Sequence, residues 1–266
     1  MVDGFSQEQL TPKTFPSYTP KCISHSQMES YKRCPYYYYL RYVLKAKGPS
    51  NHYAGFGSLI HDLCEKDGRM QLQGKKRYSL QGLWSEYEKA WREATIPWPS
   101  AATKENYYKN GFTMLEHYAS QRSIYLSDVE CRFRMDIGVG VPVMGFIDAV
   151  RRTPLGIVIT DYKTGNPYPK DKLAKDPQLT LYALVGKELF GEWPYRLEFS
   201  FLKTGDRPQV ARTEDDAEQL KLSYKTNLQQ IQSGAFDSVC SNTWWCANLC
   251  EFGPSCPGRR RYASAE

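Results

Sequence analysis

Two neighbouring strand-like segments that carry acidic residues constrain the fold of this chain more than any other feature. The first contains Gly145-Phe-Ile-Asp148 and the second ends in Asp161-Tyr162-Lys163, with a Thr-Pro-Leu-Gly turn between them. This pattern predicts a hairpin. Because alternate residues of a strand share a face, Asp161 and Lys163 point together, and Asp148 lies on the neighbouring strand. Two carboxylates, a backbone carbonyl and a lysine suit a hard divalent cation such as Mg²⁺.

The remaining chain alternates between helical and strand-like patterns. Residues after Ser127 predict three strands, then a helix over about 177–190, a strand within 196–205 and a helix over about 214–233. The span from 57 to about 125 predicts mainly helices, and another helix is expected from Ser24 or Ser26 to Leu44. There are no internal repeats and there is no clear linker. We therefore predict one compact α/β unit with a helical insertion.

Composition excludes several classes of protein. The chain has 266 residues, of which 41% are hydrophobic and 24% charged, as in ordinary globular proteins and unlike disordered or collagen-like chains. No stretch approaches the roughly 18 apolar residues that cross a bilayer. The first ten residues lack the basic and apolar regions of a secretory signal, so a cytoplasmic protein without membrane association is expected. The net charge of +6 favours a polyanionic partner.

Two further pairs of residues have spacings that suit a metal-dependent site. His61 lies within a helix that opens near Gly57, with Glu65 one turn later. Gln178 and Tyr182 are four residues apart in the predicted helix after Lys163, so they share a helix face. An imidazole can ligate a metal, and an amide with a phenol can contact water or phosphate oxygen. Each also has an ordinary structural interpretation, as a core histidine and as a surface glutamine beside a packed tyrosine.

The order of these motifs resembles the PD-(D/E)XK nuclease superfamily, specifically its RecB-like branch. That pattern is Gly-x-x-x-His, Gly-x-x-Asp, Asp/Glu-x-Lys and Gln-x-x-x-Tyr, and all four occur here from Gly57 to Tyr182. The resemblance implies a restriction-endonuclease-like core, a mixed central sheet flanked by helices. Asp161 occupies the position that is usually Glu in the family, a variant that the family accepts.

The same resemblance implies a role for each motif residue. It implies that Mg²⁺ or Mn²⁺ is held by His61, Asp148, Asp161 and the backbone carbonyl of Tyr162. Lys163 would position the attacking water. Gln178 and Tyr182 would support the lysine and the scissile phosphate.

Eight cysteines form the second unusual feature, because a reducing compartment disfavours structural disulfides and points instead to metal or redox chemistry. Cys34 precedes a proline, and Cys246, Cys250 and Cys256 are closely spaced. This arrangement is similar to that of iron–sulfur RecB-like nucleases, including AddB nucleases and CRISPR-associated exonucleases. The resemblance implies a [4Fe–4S] cluster on these four thiolates, joining the two ends of the chain.

Two questions about the cysteines stay open at this point. The three-residue gap between Cys246 and Cys250 departs from the commoner two-residue gap and leaves Cys240 as a substitute ligand. Zinc on the same thiolates is the main alternative to the cluster. The other cysteines are expected to be core or surface thiols: Cys22, Cys64 and Cys131.

Basic segments favour a nucleic-acid partner but allow two interpretations. The segment from Lys32 to Lys47 interleaves five tyrosines with five cations. These tyrosines either stack on single-stranded bases or pack around the cluster. Further cations either bind phosphates or are simply solvated: Lys170, Lys172, Lys175 and Arg259–Arg261.

We expect residues 1–22 to form a flexible arm and residues 23–266 a single nuclease domain. Within that domain, 23–125 is mainly helical, 126–235 is the catalytic α/β core and 236–266 is the cysteine-rich segment. The expected activity is that of a DNA exonuclease on single strands or ends, in recombination, repair or phage DNA processing, with a possible helicase or recombination partner. The alternatives are a CRISPR-adaptation nuclease and a non-catalytic iron–sulfur DNA-binding module.

Overall fold

The structure is a computed structural model and describes residues 5–10, 12, 14–237, 243–253 and 256. Its helices are α1 (Gln7–Leu10), α2 (His25–Arg33), α3 (Pro35–Tyr38), a π-helical turn (Tyr39–Val43), α4 (His52–Leu72), α5 (Leu80–Glu93), α6 (Ala101–Ser120), α7 (Lys170–Ala174), α8 (Pro177–Phe190), α9 (Glu214–Gln232) and α10 (Thr243–Asn248). Its strands are β1 (Leu126–Met135), β2 (Val143–Thr153), β3 (Gly156–Lys163), β4 (Arg196–Phe201) and β5 (Gln209–Val210). None of the described helices has the combined length and apolarity needed to cross a membrane.

The five strands form one mixed sheet in the order β1-β2-β3-β4-β5. β2 and β3 are antiparallel, with Ala149 opposite Thr160. β3 and β4 are parallel, with Asp161 opposite Phe199, and β5 returns antiparallel to β4. Helix α8 packs against β3 and β4, and α4 packs against β1. The predicted α/β fold with a mixed sheet beside helices is thus confirmed, and it is consistent with a restriction-endonuclease-like fold.

The described residues divide into two compact units. The sheet unit comprises Asn51–Met135 and Gly145–Leu220. The other, which we call the cysteine unit, comprises the described residues up to Ser50, Asp136–Met144 and those from Lys221 onward. Two of the four boundaries fall inside elements, one in β2 and one in α9. The division into a flexible arm and a single domain stays a prediction.

In the sheet unit, three helices form an aromatic-rich core that fixes the position of α4. Asn51 caps α4 by accepting a hydrogen bond from the backbone N–H of Ala54. Helices α5 and α6 approach closely where Tyr87 crosses Gly111, since a Cβ there would lie 2.1 Å from the tyrosine side chain. Only glycine leaves room for this approach. The buried face of α4 packs into the same core, which places the polar residues of α4 beside the sheet.

In the cysteine unit, the predicted helix from Ser24 or Ser26 to Leu44 is wrong, because the structure contains three short segments instead. Ser24 caps α2, which ends at Arg33. Cys34 is extended, with φ −159° and ψ 103°, and α3 then starts at Pro35. Proline disfavours the α conformation in the residue before it and lacks an N–H to continue the ladder. The break places Cys34 at the start of a new helix rather than inside a long one.

Candidate active site

Strand β3 presents a carboxylate and a lysine on one face of the sheet. Asp161 is buried, and its Oδ2 lies 2.7 Å from Nζ of Lys163 as an ion pair. Nζ also donates to Oε1 of Gln178 at 2.7 Å and lies 4.8 Å from the centre of the Phe199 ring. The lysine is therefore held by three different groups.

The first turn of α8 supplies the amide that links this pair. Asp176 caps the helix by accepting hydrogen bonds from the backbone N–H groups of Gln178 and Leu179. Nε2 of Gln178 then donates to Oδ1 of Asp161 at 2.7 Å, and also to the hydroxyl of Tyr182 at 3.0 Å. Because its oxygen accepts from the lysine while its nitrogen donates to the aspartate, Gln178 fixes both catalytic candidates at once.

One turn along α8, Tyr182 completes this network. Its hydroxyl donates to the backbone carbonyl of Phe146 on β2 at 2.7 Å and lies 3.2 Å from Oδ1 of Asp161. Burial raises the pKa of Tyr182 well above its ordinary value, so the phenol stays protonated. Gln178 and Tyr182 therefore form a hydrogen-bonded pair, and the interpretation as a surface glutamine beside a packed tyrosine does not apply.

A second group of potential ligands lies in the same unit, where α4 meets β1 and β2. Ligand atoms of His61, Glu130 and Asp148 all lie within 4.8 Å of one another. Oδ2 of Asp148 accepts a hydrogen bond from the backbone N–H of Tyr162 at 2.6 Å and lies 3.5 Å from Nδ1 of His61. That backbone contact joins Asp148 to the strand that carries Asp161.

The sequence patterns did not single out Glu130, because it belongs to no motif and its neighbours are defined only by strand pairing. Its backbone φ is +46°, a conformation that non-glycine residues seldom adopt. Strain of this kind costs about 1–3 kcal/mol and concentrates at functional sites. Glu65, which shares a helix face with His61 in the sequence, instead forms an ion pair with Arg69 at 2.5 Å.

Burial and close charges shift the pKa values of this site. Burial raises the pKa of Asp161 to about 6, which Lys163 opposes and Asp148 reinforces. Burial disfavours a charged His61, but Asp148 beside it raises the pKa of the imidazole to about 9. Burial likewise disfavours a charged Lys163, and Asp161 raises its pKa. The protonated side chains of His61 and Lys163 thus place positive charge beside these carboxylates. A bound divalent cation would compete with that charge.

The donor atoms fit a divalent cation. His61, Glu130 and Asp148 offer the nitrogen and carboxylate ligands that such ions accept. Oδ2 of Asp161 is buried and accepts no hydrogen bond of good geometry within the described part of the chain. Of the predicted ligands, His61 and Asp148 belong to the close group, whereas the carboxylate of Asp161 is held by Lys163 and Gln178.

In the cysteine unit, Glu251 ties the segment after α10 to the segment that follows Cys34. Its carboxylate accepts hydrogen bonds from the hydroxyl of Tyr37 at 3.1 Å, from Nη1 of Arg41 at 3.1 Å and from the backbone N–H of Gly48 at 3.0 Å. These three contacts join parts of the chain that are some two hundred residues apart in sequence.

The other three predicted cluster cysteines lie within electrostatic range of Cys250. Burial raises the pKa of Cys250 to about 12, a backbone hydrogen bond from Phe252 lowers it, and Cys256, Cys246 and Cys34 raise it again. No three described cysteines have sulfur atoms within 4.8 Å of one another. Four thiolates on a single zinc ion, at bonds of about 2.3 Å, would stand closer than that. Cys240 lies outside the described residues.

The tyrosines after Cys34 pack inside the cysteine unit. Tyr36, Tyr38 and Tyr39 are buried, and Tyr38 stacks on Phe236 with the ring centres 6.2 Å apart. Stacking of these three on nucleic-acid bases is therefore wrong. In the sheet unit, Lys172 lies over the Tyr168 ring at 3.8 Å. Arg259–Arg261 lie outside the described residues.

Comparison with known proteins gives the family. The family described as the PD-(D/E)XK nuclease superfamily matches residues 22–257, nearly the whole chain. No curated protein matches the sequence. The matched span contains every motif residue placed above, and membership implies a metal-dependent nuclease with DNA as substrate. The chain therefore belongs to the PD-(D/E)XK nuclease superfamily.

Proposed function

We propose that this nuclease is a DNA exonuclease of the RecB-like branch, acting on single strands or DNA ends in recombination, repair or phage DNA processing. The observation that carries the assignment of its site is the network of Asp161, Lys163, Gln178 and Tyr182. In it, one amide bridges the carboxylate and the lysine. This network lies in the same unit as the group formed by His61, Glu130 and Asp148.

In this proposal His61, Glu130 and Asp148, with Asp161 and the Tyr162 carbonyl, hold Mg²⁺ or Mn²⁺. A bound cation supplies charge neutralisation at phosphorus and acidifies water at neutral pH. Lys163 donates hydrogen bonds from a fixed ammonium, so it orients the nucleophile and stabilises developing negative charge.

The α8 residues act on this chemistry through Lys163 and Asp161. Gln178 restricts the rotation of the lysine and of the carboxylate, because each is hydrogen-bonded to one end of the amide. Tyr182 anchors that amide to β2 through the carbonyl of Phe146. The result is a site whose reacting groups are positioned before substrate arrives.

An exposed aromatic surface at the start of α4 supports single-stranded DNA as the preferred substrate. The rings of His52 and Tyr53 lie 4.0 Å apart and are inclined by 34°, and Trp98 and Tyr107 pack beside them. Tyr53 is 45% exposed. This surface begins nine residues before His61 on the same helix, roughly 14 Å away. Unpaired bases stack on such rings, whereas bases within a duplex cannot reach them.

For the cysteine unit we propose a [4Fe–4S] cluster on Cys34, Cys246, Cys250 and Cys256. The electrostatic proximity of Cys250 to the other three thiols and the Glu251 contacts support it. Such a cluster would have a structural role, since it would close a very long loop of chain.

The test of the activity uses protein purified without oxygen and DNA labelled at one end. With Mg²⁺ we expect rapid release of short products from linear single strands and no cleavage of circular single strands. Lys163→Ala should abolish release while retaining DNA binding. Robust cleavage by that variant, or cleavage of circles at the rate of linear DNA, contradicts the proposal. A binding protein without activity would support the non-catalytic alternative.

The cluster is tested by metal analysis of the same preparation. We expect brown protein with about four iron atoms per chain and negligible zinc. Cys250→Ser should lose the iron, and Cys131→Ser, which changes a thiol in the sheet unit, should keep it. Colourless protein loaded with zinc would contradict the cluster and leave the nuclease proposal untouched.

A further inference from the structure

A small polar cavity lies in the sheet unit, on the face of β3 opposite the candidate active site. Thr160 and Tyr162 line it, whereas Asp161 and Lys163, which alternate with them, project from the other face. The cavity has a volume of about 20 Å³. Its wall carries four guanidinium groups: Arg77, Arg122, Arg151 and Arg207.

Two of these arginines surround a fully buried aspartate. Nε of Arg77 donates to Oδ2 of Asp67 at 2.7 Å, and Nη2 of Arg122 donates to Oδ1 at 3.2 Å. The backbone N–H of Tyr78 donates to the same carboxylate at 3.0 Å. Both oxygens of this carboxylate are therefore fully engaged by the protein itself.

The other two arginines share a single oxygen of a second buried carboxylate. Arg151 and Arg207 both donate to Oε1 of Glu198, which also accepts a hydrogen bond from Thr160 at 2.7 Å. Counting both groups, four guanidinium cations face two carboxylates, which leaves a net charge of +2. Excess positive charge in a largely buried place is costly unless an anion compensates it.

Unused donors show where such an anion would bind. Nε of Arg151 and Nε of Arg207 are buried and have no hydrogen-bond partner among the described residues. Burial lowers the pKa of Arg151, Glu198 raises it, and the charge of Arg207 lowers it again. Neither Asp67 nor Glu198 is among the described residues that line the cavity. The described wall of the cavity therefore carries guanidinium groups and no carboxylate, although Oε2 of Glu198 behind it is also buried without a hydrogen-bond partner among the described residues.

We propose that this cavity binds one small inorganic anion, chloride or phosphate, between Arg151 and Arg207. A water molecule needs roughly 10–15 Å³ of such space, so the cavity admits an ion of that scale and excludes a nucleotide or a DNA strand. The anion would neutralise the excess charge behind β3 and stabilise the strand that carries Asp161 and Lys163. This site goes beyond the nuclease activity and does not depend on it.

The test is thermal unfolding of the purified protein without DNA or added divalent cation, at constant ionic strength. The reference salt is gluconate, an anion that is too large to enter the cavity. Chloride replaces it in one titration and phosphate replaces it in another. We expect a saturable rise in Tm of about 2–4 °C at roughly five times the Kd of the anion. Comparing the two titrations identifies which anion the cavity prefers. A Tm that changes linearly, or equally in all three salts, means that the cavity holds only water and overturns the proposal.

Two substitutions with opposite charge effects sharpen the test. Arg207→Gln removes a donor and one charge, so the saturable rise should vanish. Glu198→Gln raises the net charge of the cavity, so half-saturation should move to lower anion concentration. Arg152→Gln is the matched control, because Arg152 adjoins Arg151 but contacts the Phe190 ring instead, and it should behave as wild type. A saturable rise in Tm that persists in Arg207→Gln contradicts the site. If Arg207→Gln does not fold, an unchanged half-saturating anion concentration in Glu198→Gln contradicts it instead.

Discussion

The two units of this nuclease hold their polar centres in different ways. In the sheet unit, Asp161, Lys163, Gln178 and Tyr182 are hydrogen-bonded directly to one another. In the cysteine unit, no three described cysteine sulfur atoms lie within 4.8 Å of one another, and the surrounding segments are joined through Glu251. A site whose members bond to one another can assemble without its ion, whereas separated thiols need a bound group to connect them.

This difference has a consequence for stability. Removing the proposed divalent cation leaves Asp161, Lys163, Gln178 and Tyr182 bonded to one another, so the sheet unit stays folded and becomes inactive. Removing the proposed cluster takes away the bonds that would tie Cys34 to the three later cysteines, so the cysteine unit loses part of its folding free energy.

Asp161→Asn should have the largest effect on catalysis. It removes a proposed metal ligand and the charge partner of Lys163, so single-turnover cleavage of single-stranded DNA should fall by at least about 10³-fold. Glu65→Gln, on the same unit but paired with Arg69, should cleave normally. Activity within tenfold of wild type for Asp161→Asn would show that the network is not the catalytic centre.

Cys250→Ser should have the largest effect on stability. Loss of the cluster should lower the free energy of unfolding by on the order of 3 kcal/mol or more, measured by chemical denaturation. Chelation of divalent cations from the wild type should change this free energy by less than about 1 kcal/mol. Equal losses in the two experiments would remove the contrast between the units.

Gln178→Ala tests whether the amide positions the reacting groups. Without it, Lys163 and Asp161 keep their ion pair but gain rotational freedom, so kcat should fall by about 10–100-fold. The Tm should change little, because Gln178 is only partly buried and Asp161 keeps its contacts with Lys163 and Tyr182. The control is Gln209→Ala, an exposed glutamine of β5. A fall in Tm that parallels the fall in kcat would indicate a merely structural role.

Glu130 offers a way to separate ligation from backbone strain. Glu130→Gln should raise the Mg²⁺ concentration that gives half-maximal activity by about tenfold, because one carboxylate ligand is weakened. Glu130→Gly should be more stable than Glu130→Ala, because glycine accepts φ +46° without strain. An unchanged Mg²⁺ requirement in Glu130→Gln would remove this residue from the metal site.

The smallest effect is expected at the aromatic surface of α4. Tyr53→Ala should weaken binding of single-stranded DNA by about fivefold, since one stacking contact is worth about 1 kcal/mol. Fluorescence anisotropy in a Lys163→Ala background measures this without cleavage. Tyr195→Ala is the matched control, because Tyr195 is 50% exposed and lies outside that aromatic surface. Equal losses in both variants would contradict a specific stacking site.

Much of the sheet unit is predictable because its signals are local. The β2–β3 hairpin follows from alternation and a proline-glycine turn, and helix α8 was predicted over about 177–190, where Asp176 and Pro177 begin it. The four family motifs named His61, Asp148, Asp161, Lys163, Gln178 and Tyr182, which the structure places in one unit. Their catalytic roles stay predictions until the variants are measured.

The features that sequence patterns missed depend on contacts between distant residues. Glu130 joins His61 only because β1 lies beside both α4 and β2 in the folded unit. The break at Cys34 differs from the predicted helix because Pro35 disfavours the α conformation in the residue before it, although the aromatic run that follows suits a continuous helix. The two arginine groups bring together four cations scattered from Arg77 to Arg207, a range over which local patterns carry no information.

The alternation of β3 also limits how the gene for this nuclease can change in length. β3 pairs with β2 on one side and β4 on the other, and its successive residues serve opposite faces of the sheet. Deleting one codon within the strand would turn Asp161 toward the arginine cavity and Thr160 or Tyr162 toward the α8 network. Insertions at the exposed turn around Leu155 do not change which face of the sheet each β3 residue occupies. Length variation among homologues should therefore concentrate in turns and spare β3.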